Sequence, residues 1–201
     1  MQVLFNEIRV FASRLSGWRS VLPHLALLAA FGFMTPSLKG IDFLDTQVLG
    51  AYACLGILFA GPATAQAFPA GAPSTFGQAK ARIFVAVLYG EIVSMVLLFA
   101  GVATVFARNR GSYVPEPDWE TLSRCALFGL AASGMLASLA ALVTVRFSRP
   151  AAIWCLRLTF FGLLLLYFYR GQRLADVGIT AAIACLVVAG LFIEILRRSY
   201  R

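Results

Sequence analysis

The chain has 201 residues, of which 60% are hydrophobic and 13% charged, and its formal net charge is +8. A soluble domain usually has about a quarter of its residues charged, so a globule of this size would need lipid to cover so much apolar surface. The basic residues stand mostly at the ends of apolar runs, which is typical of membrane topology signals. We therefore expect a lipid bilayer as the environment and no nucleic acid as a partner.

The N-terminal segment, residues 1–20, begins with an amphipathic pattern over Gln2–Ser16. One face carries four apolar residues at helical spacing, namely Leu4, Ile8, Phe11 and Leu15. Most of the remaining surface is polar, with Asn6, Arg9, Ser13 and Ser16. The segment is too short and too polar to span a bilayer, so we predict a helix that lies in the membrane interface. A soluble amphipathic helix packed on another subunit is the alternative.

Six apolar runs follow between residues 21 and 196. They cover about Val21–Leu38, Phe43–Thr64, Ile83–Phe106, Leu122–Val145, Ala151–Tyr169 and Val177–Leu196. Each is near the ~20 residues that a helix needs to cross ~30 Å of hydrocarbon. Helices are expected because lipid offers no partner to open backbone groups, and the runs lack the period of two of a barrel. We predict a single all-α transmembrane domain over residues 1–201, with six transmembrane helices.

The distribution of Lys and Arg predicts the orientation. With the N-terminus inside, the inside segments hold eleven of the 17 basic residues. Positively charged segments stay in the cytoplasm, so both termini are predicted to be cytoplasmic. The segment Gly61–Arg82, which separates the second run from the third, is then a cytoplasmic loop. It contains three of the eight prolines and ends in the basic residues Lys80 and Arg82.

The sequence offers no catalytic, metal or cofactor site. Its one histidine, His24, stands at a predicted membrane edge, where a catalytic triad or a metal cluster is hard to build. The four cysteines lie in or beside apolar runs and form no CxxC. The stretch Gly71–Lys80 does not fit the GxxxxGK[ST] phosphate-binding pattern, because Gln78 follows Gly77. We expect neither enzyme activity nor nucleotide binding by this chain.

One acidic residue, Glu91, lies well inside the third apolar run. A charged group at that depth is costly and needs a partner. Arg157 of the fifth run is the natural candidate, since it lies eight residues past Arg149 while Glu91 lies nine past Arg82. At 1.5 Å per residue, both are ~12–14 Å from the cytoplasmic starts of their helices. We predict an intramembrane charged pair, with a structural role favoured over a role in transport.

The chain resembles the membrane subunit of ABC-2 type transporters along its whole length. The resemblance rests on an amphipathic helix before the first span and on six spans with both ends inside. It also rests on a cytoplasmic connection that leads into the basic stretch PSTFGQAKARIF, residues 73–84. In size and number of spans the chain is similar to the haem exporter branch of that family.

The resemblance implies a permease subunit in the bacterial cytoplasmic (inner) membrane, which moves a substrate with ATP hydrolysed by a separate ATP-binding subunit. It also implies a homodimer, or a heterodimer with a similar membrane subunit. The connection between spans two and three would dock on the ATPase. The positions implied for this coupling are Phe68, Pro73, Phe76, Gln78 and Lys80. A non-transporting integral subunit that assembles or anchors a larger membrane complex is the alternative function.

Overall fold

The computed structural model describes residues 1–15, 58–68, 73–108, 119–147, 149–170 and 174–201, and within these ranges the secondary structure is helical. The helices are α1 (Gln2–Leu15), α2 (helical over residues 58–67), α3 (Phe76–Arg108), α4 (Trp119–Arg146), α5 (Arg149–Arg170) and α6 (Leu174–Arg198). The predicted all-α class is confirmed for the described part of the chain.

Helices α3 to α6 correspond to the last four predicted apolar runs, and each helix extends beyond its run at both ends. Two stretches, Ala126–Arg146 in α4 and Ile179–Arg198 in α6, are long and apolar enough to cross a membrane. The first run, Val21–Leu38, and the larger part of the second lie outside the described residues. The predicted interfacial segment forms α1, which packs on α3.

The segment Gly61–Arg82 is not the continuous loop that its prolines suggested. The chain is helical to residue 67 and again from Phe76 onward. The start of α3 is capped, because the Gln78 N–H donates to Thr75 Oγ1 (3.3 Å) and the Ser74 N–H donates to Gln78 Oε1 (3.0 Å). Such reciprocal capping satisfies groups that the first turn of a helix leaves open. The cap therefore starts the helix well before the apolar run begins.

Helix α4 is the centre of the described bundle, because α3, α5 and α6 all pack against it. Its inward surface is built from small side chains, and the fully buried ones include Ala132, Ser133, Ala137, Ala140 and Ala141. Small side chains let neighbouring helices approach closely. A similar close approach occurs between α2 and α5, where a Cβ atom built at Gly61 would lie 2.9 Å from Leu156 Cδ2.

Helices α3 and α6 each expose a long apolar stripe. The exposed residues on α6 are Ile179, Ile183, Leu186, Val187, Leu191 and Ile195. Those on α3 are Phe84, Leu88, Ile92, Met95, Val96 and Phe99. Within each stripe most members recur three or four positions apart, so they lie on one side of the helix. These two sides face away from the rest of the described bundle.

Candidate functional site at the basic end of the bundle

Three contacts bring several helix ends together at one end of the bundle. At the end of α1, Arg14 Nη1 donates to the carbonyl of Gln66 near the end of α2 (2.8 Å). At the end of α4, Arg146 Nη2 donates to Ser199 Oγ just after α6 (3.2 Å). At the start of α3, the ring centroid of Phe76 lies 6.4 Å from that of Tyr200. The ends of α1 and α2 thus contact each other, and the end of α4 and the start of α3 both contact the residues that follow α6.

This end, which we call the basic end, has a strongly positive surface. Seven exposed basic residues lie on the helix segments at this end or just after α6: Arg9, Arg14, Lys80, Arg146, Arg197, Arg198 and Arg201. Two acidic residues lie on the same segments, and both are paired. Glu7 pairs with Arg82 inside the protein, and Glu194 pairs with two arginines of the last turn of α6.

A buried ion pair fixes α1 to α3 at the basic end. Arg82 Nε donates to Glu7 Oε2 at 2.8 Å, and the two side chains are only 8% and 10% exposed. The ring of Phe68 packs on the guanidinium, with 5.1 Å between Arg82 Cζ and the ring centroid. Since loss of either partner would leave a buried charge without compensation, the pair ties the positions of the two helices together.

Glu7 was not predicted as a site residue, although the pattern that marks it is present in the sequence. Leu4, Glu7 and Phe11 are spaced i, i+3, i+7 and share the side of α1 that packs on α3. Ile8, which was predicted to belong to that side, is exposed. An acidic residue on the buried side of an amphipathic helix indicates a basic partner across the contact.

Two buried donors beside the ion pair lack an acceptor among the described residues. They are Arg82 Nη1 and Tyr200 Oη. Burial raises the pKa of Tyr200 above its ordinary value of 10.0, and the nearby Arg82 opposes that rise, so the hydroxyl is protonated at neutral pH. A buried donor without an acceptor costs free energy. The contact between α3 and the C-terminal turn is therefore less stable than a fully hydrogen-bonded one.

Three of the five positions implied for partner coupling have internal roles in the structure. Phe68 is 4% exposed and packs on Arg82, so it is not a surface anchor. Pro73 is also buried. Gln78 is half-buried and serves the cap of α3. Arg82, predicted as the basic end of a loop, instead belongs to the buried ion pair.

The remaining two positions, Phe76 and Lys80, reach the surface. They lie on the first turns of α3 with the exposed Gly77, next to the exposed Ser74 and Thr75 that precede the helix, and we call these five residues the cap surface. Lys80 Nζ lies 4.8 Å from the centroid of the half-buried Phe76 ring. A Cβ atom built at Gly77 would meet only Thr75 Oγ1, at 3.8 Å. The cap surface thus presents one positive charge, the edge of one aromatic ring and, at Gly77, a position where a side chain can be added without a clash.

The structure does not bring Glu91 and Arg157 together within the described chain. Helices α3 and α5 each pack on α4, and no ion pair joins α3 to α5 among the described residues. The Glu91 carboxylate faces Ser133 of α4, yet Glu91 Oε1 and Ser133 Oγ are both buried without a hydrogen-bond partner in the described residues. Arg157 is exposed, with Cζ 5.4 Å from the ring centroid of Trp154 on the same helix. Equal depth does not determine the direction in which a side chain leaves its helix.

Compared with known proteins, the chain matches no family model, no curated protein and no solved structure. Within the described ranges, no group of three or more His, Cys, Asp or Glu residues is arranged to hold a metal ion. Cys155 and Cys185 are both free thiols. The basic end, with its buried ion pair and its exposed cap surface, is the candidate functional site.

Proposed function

We propose that the chain is the membrane-spanning permease subunit of an ABC-type transporter in the bacterial cytoplasmic membrane, driven by a separate ATP-binding subunit. One observation carries the proposal. The exposed cap surface lies at the start of α3, about two turns before Arg82, and the buried ion pair of Arg82 with Glu7 joins α3 to α1. A force applied to the cap surface therefore reaches α3 and α1 together.

The apolar stripes of α3 and α6 support a membrane environment. Leaving a large apolar side chain in water rather than burying it costs about 1.5–3 kcal/mol, and each stripe has six such residues. Contact with hydrocarbon removes that cost. In this proposal α3 to α6 are four of six transmembrane helices, and the two runs between residues 21 and 64 supply the others.

The charge of the basic end supports a cytoplasmic position for both termini. Lys and Arg favour the cytoplasmic side of a membrane, where anionic lipids also attract them. The seven exposed basic residues of this end belong to α1, to the first turns of α3, to the final turns of α4 and α6 and to the residues just after α6. In this orientation the cap surface faces the cytoplasm, where an ATP-binding subunit would bind it.

The length of α3 supports a role in passing motion into the membrane. The helix has 33 residues, which corresponds to ~50 Å at 1.5 Å per residue. It therefore extends from the cap surface across a hydrocarbon layer of ~30 Å. Because the two subunits share no covalent link, motion must pass through a rigid surface, and the hydrogen bonds of Ser74, Thr75 and Gln78 hold the first turn in place.

The test changes Gly77, where a new side chain displaces no internal group. Gly77→Trp puts a large ring on the cap surface, and Gly77→Ala is the matched control that adds one Cβ atom. An ATP-binding subunit that is recovered with the tagged wild-type chain in mild detergent is identified by mass spectrometry and then co-expressed with each variant. We expect normal insertion of both variants, normal recovery of the subunit with Gly77→Ala, and recovery reduced at least about tenfold with Gly77→Trp.

Two outcomes would contradict the proposal in different ways. If Gly77→Trp recovers the subunit as well as Gly77→Ala does, the cap surface is not the contact. If no ATP-binding subunit accompanies the wild-type chain, while other integral membrane proteins are recovered in a fixed ratio, the chain is a non-transporting subunit that assembles or anchors a larger complex.

A further inference from the structure

We propose that Glu91 and Ser133 form a proton-binding site between α3 and α4, in which Glu91 is held as the neutral carboxylic acid and Ser133 is its hydrogen-bond partner. The ligand is thus a single proton, bound inside the membrane layer. The inference rests on the proposed membrane arrangement, in which α3 and α4 are transmembrane helices, and it does not depend on the ATP-binding subunit.

Glu91 lies near the middle of α3 and far from both of its ends. The helix runs from Phe76 to Arg108, so at 1.5 Å per residue Glu91 is ~23 Å from the start and ~26 Å from the end. A hydrocarbon layer of ~30 Å therefore contains this residue at depth. An ionisable residue at such a depth is costly and often marks a site or a path for protons or other ions.

The carboxyl group of Glu91 is directed into the contact between α3 and α4. The residue as a whole is half-buried, and Leu88 and Ile92, which adjoin it on α3, are exposed. Its Oε1 atom, in contrast, is buried, and the carboxyl group faces Ser133. Ser133 is fully buried on the inward surface of α4, and its Oγ atom also lacks a partner among the described residues. Two polar groups without another described partner thus face each other inside the helix contact.

The apolar surroundings of these two groups favour the neutral acid. Leu136 and Ala137, one turn past Ser133, are fully buried, and Val87, one turn before Glu91, packs against the same cluster as Ala137. An ionised carboxylate accepts about four hydrogen bonds, of which Ser133 can supply one. A neutral acid carries its own donor and leaves no charge to compensate. Release of the proton would put a charge into this contact, so the occupancy of the site determines how stably α3 packs on α4.

The charged side chains of the helices that pack against α3 lie away from Glu91. These helices are α1 and α4, and their described charged residues are Glu7, Arg9, Arg14, Glu120, Arg124 and Arg146. The three on α1 lie at the basic end, where Glu7 is bound to Arg82. The three on α4 are at least nine positions from Ser133, which corresponds to ~14 Å or more along the helix. The described residues of α2 contain no titratable side chain.

On α3 itself, the nearest titratable side chain among the described residues is that of Tyr89. It precedes Glu91 by two positions, and residues at that spacing do not face each other on a helix. Its ring lies 5.3 Å from that of Phe11 and 6.4 Å from that of Phe59, between centroids. The basic residues at the start of α3 are at least nine positions from Glu91. Within the described part of the chain, the carboxyl group thus has a hydroxyl beside it and no basic partner.

The pH dependence of stability tests the site. An unfolded chain releases the proton of a glutamate above about pH 4.3, whereas the folded chain keeps it in this proposal. Stability therefore falls as the pH rises, by up to about tenfold in the folding equilibrium constant per pH unit. Glu91→Gln has a neutral side chain of the same size and lacks this contribution. Between about pH 5 and 7, below the ionisation of Tyr200, we expect the wild-type constant to fall at least about tenfold relative to that of the variant.

Unfolding in detergent, followed by circular dichroism, measures both proteins. Equal pH dependence of the wild type and Glu91→Gln would overturn the proposal. A carboxylate paired with a basic group outside the described residues predicts another result that also overturns it. In that case Glu91→Gln is less stable than the wild type at pH values near neutrality, because the basic group is left without its partner.

A hydrophobic carbodiimide tests the protonation state directly. Dicyclohexylcarbodiimide enters the hydrocarbon layer and modifies a carboxylic acid but not a carboxylate, and the exposed Leu88 and Ile92 place Glu91 beside the lipid. In lipid nanodiscs at about pH 7, we expect at least about tenfold more modification at Glu91 than at the controls Glu120 and Glu194, which are paired with arginine. Mass spectrometry of peptides locates the product. Equal or lower modification of Glu91 would contradict the neutral acid.

Infrared spectroscopy tests the part of Ser133. The carbonyl band of a neutral acid should be present in the wild type at neutral pH and missing in Glu91→Gln. Ser133→Ala should shift this band because it removes the hydrogen-bond partner. Ser138→Ala is the matched control on α4, since that hydroxyl donates to the Gly134 carbonyl, and it should leave the band in place. A band absent from the wild type would overturn the proton site, and a band unmoved by Ser133→Ala would overturn the assignment of Ser133.

Recovery of the ATP-binding subunit is measured on the same samples. An ATPase recovered with a chain that lacks the carboxylic acid band contradicts this inference alone. A chain that shows the band but recovers no ATPase contradicts the proposed function alone.

Discussion

Glu7 and Arg82 are 75 positions apart in the sequence, yet they form an ion pair of 2.8 Å that is almost fully buried between α1 and α3. Removing one member of a buried pair typically costs about 3–5 kcal/mol, whereas replacing both members by apolar residues is often neutral or stabilising. The pair thus ties the position of α1 to that of α3, and its loss should be measurable as a loss of stability.

The first prediction concerns the ion pair itself. Glu7→Ala should lower the free energy of unfolding by about 3 kcal/mol, because it leaves the Arg82 charge buried. The double variant Glu7→Leu with Arg82→Met should recover most of the loss. Unfolding in detergent, followed by circular dichroism, measures both. Arg9→Ala, at an exposed position on the same helix, is the control and should change stability by less than about 0.5 kcal/mol. Additive losses in the double variant would contradict a coupled pair.

The second prediction concerns the cap of α3. Thr75→Ala removes the side-chain oxygen that accepts from the Gln78 N–H, so we expect a loss of about 1 kcal/mol. Thr75→Ser keeps the hydroxyl and should retain most of the stability. Amide hydrogen exchange at Gln78 should become faster in the alanine variant only. Equal exchange in both variants would mean that the cap does not protect this turn.

The third prediction concerns topology. In a cysteine-free background, Gly77→Cys on the cap surface should react with a membrane-impermeant thiol reagent only from the cytoplasmic side. Ser112→Cys, in the predicted loop between the third and fourth runs and outside the described residues, should react only from the opposite side. Permeabilised membranes provide the control for reactivity. Labelling of both positions from one side would contradict the proposed number of spans.

The fourth prediction concerns Tyr200. Burial raises the pKa of Tyr200 above 10.0 in the folded protein. Below about pH 10 the tyrosine is protonated in both states, and above it the unfolded chain ionises first, so stability falls as pH rises. Tyr200→Phe should lack this contribution, and at pH 7 it should be neutral or slightly stabilising because it removes a buried hydroxyl without an acceptor. Unfolding of both proteins at about pH 7 and 11 compares them. A parallel pH dependence would contradict the assignment.

The sequence was sufficient to predict helices α3 to α6, because apolar runs of bilayer length leave few alternatives. The apolar run alone predicts a start at Ile83, whereas α3 begins at Phe76, because the capping residues Thr75 and Gln78 start the helix before the run. That pattern was readable as a Thr followed three positions later by Gln. The spacing of Glu7 from Phe11 likewise indicates that Glu7 lies on the apolar side of α1. In both cases a local polar residue carried information that hydropathy alone did not.

Whether Glu91 meets Arg157 depends on direction around the helix axis as well as on position along the helix. Position along a helix follows from residue number, so the equal depth of the two residues could be predicted. The direction of a side chain around the helix axis depends on which neighbours each helix packs against. The contacts of α4 with both α3 and α5 were not encoded in any local pattern. Equal depth was therefore not sufficient to predict a contact between Glu91 and Arg157.

The distance in sequence between Glu7 and Arg82 also orders events during synthesis. A ribosome adds about 5–20 residues per second, so the 75 positions that separate the pair correspond to about 4–15 s. Throughout that interval the N-terminal helix has been made but its partner on α3 has not. Docking of α1 must therefore follow the emergence of α3, and although α1 is made before the other described helices, it is among the later ones to reach its final position.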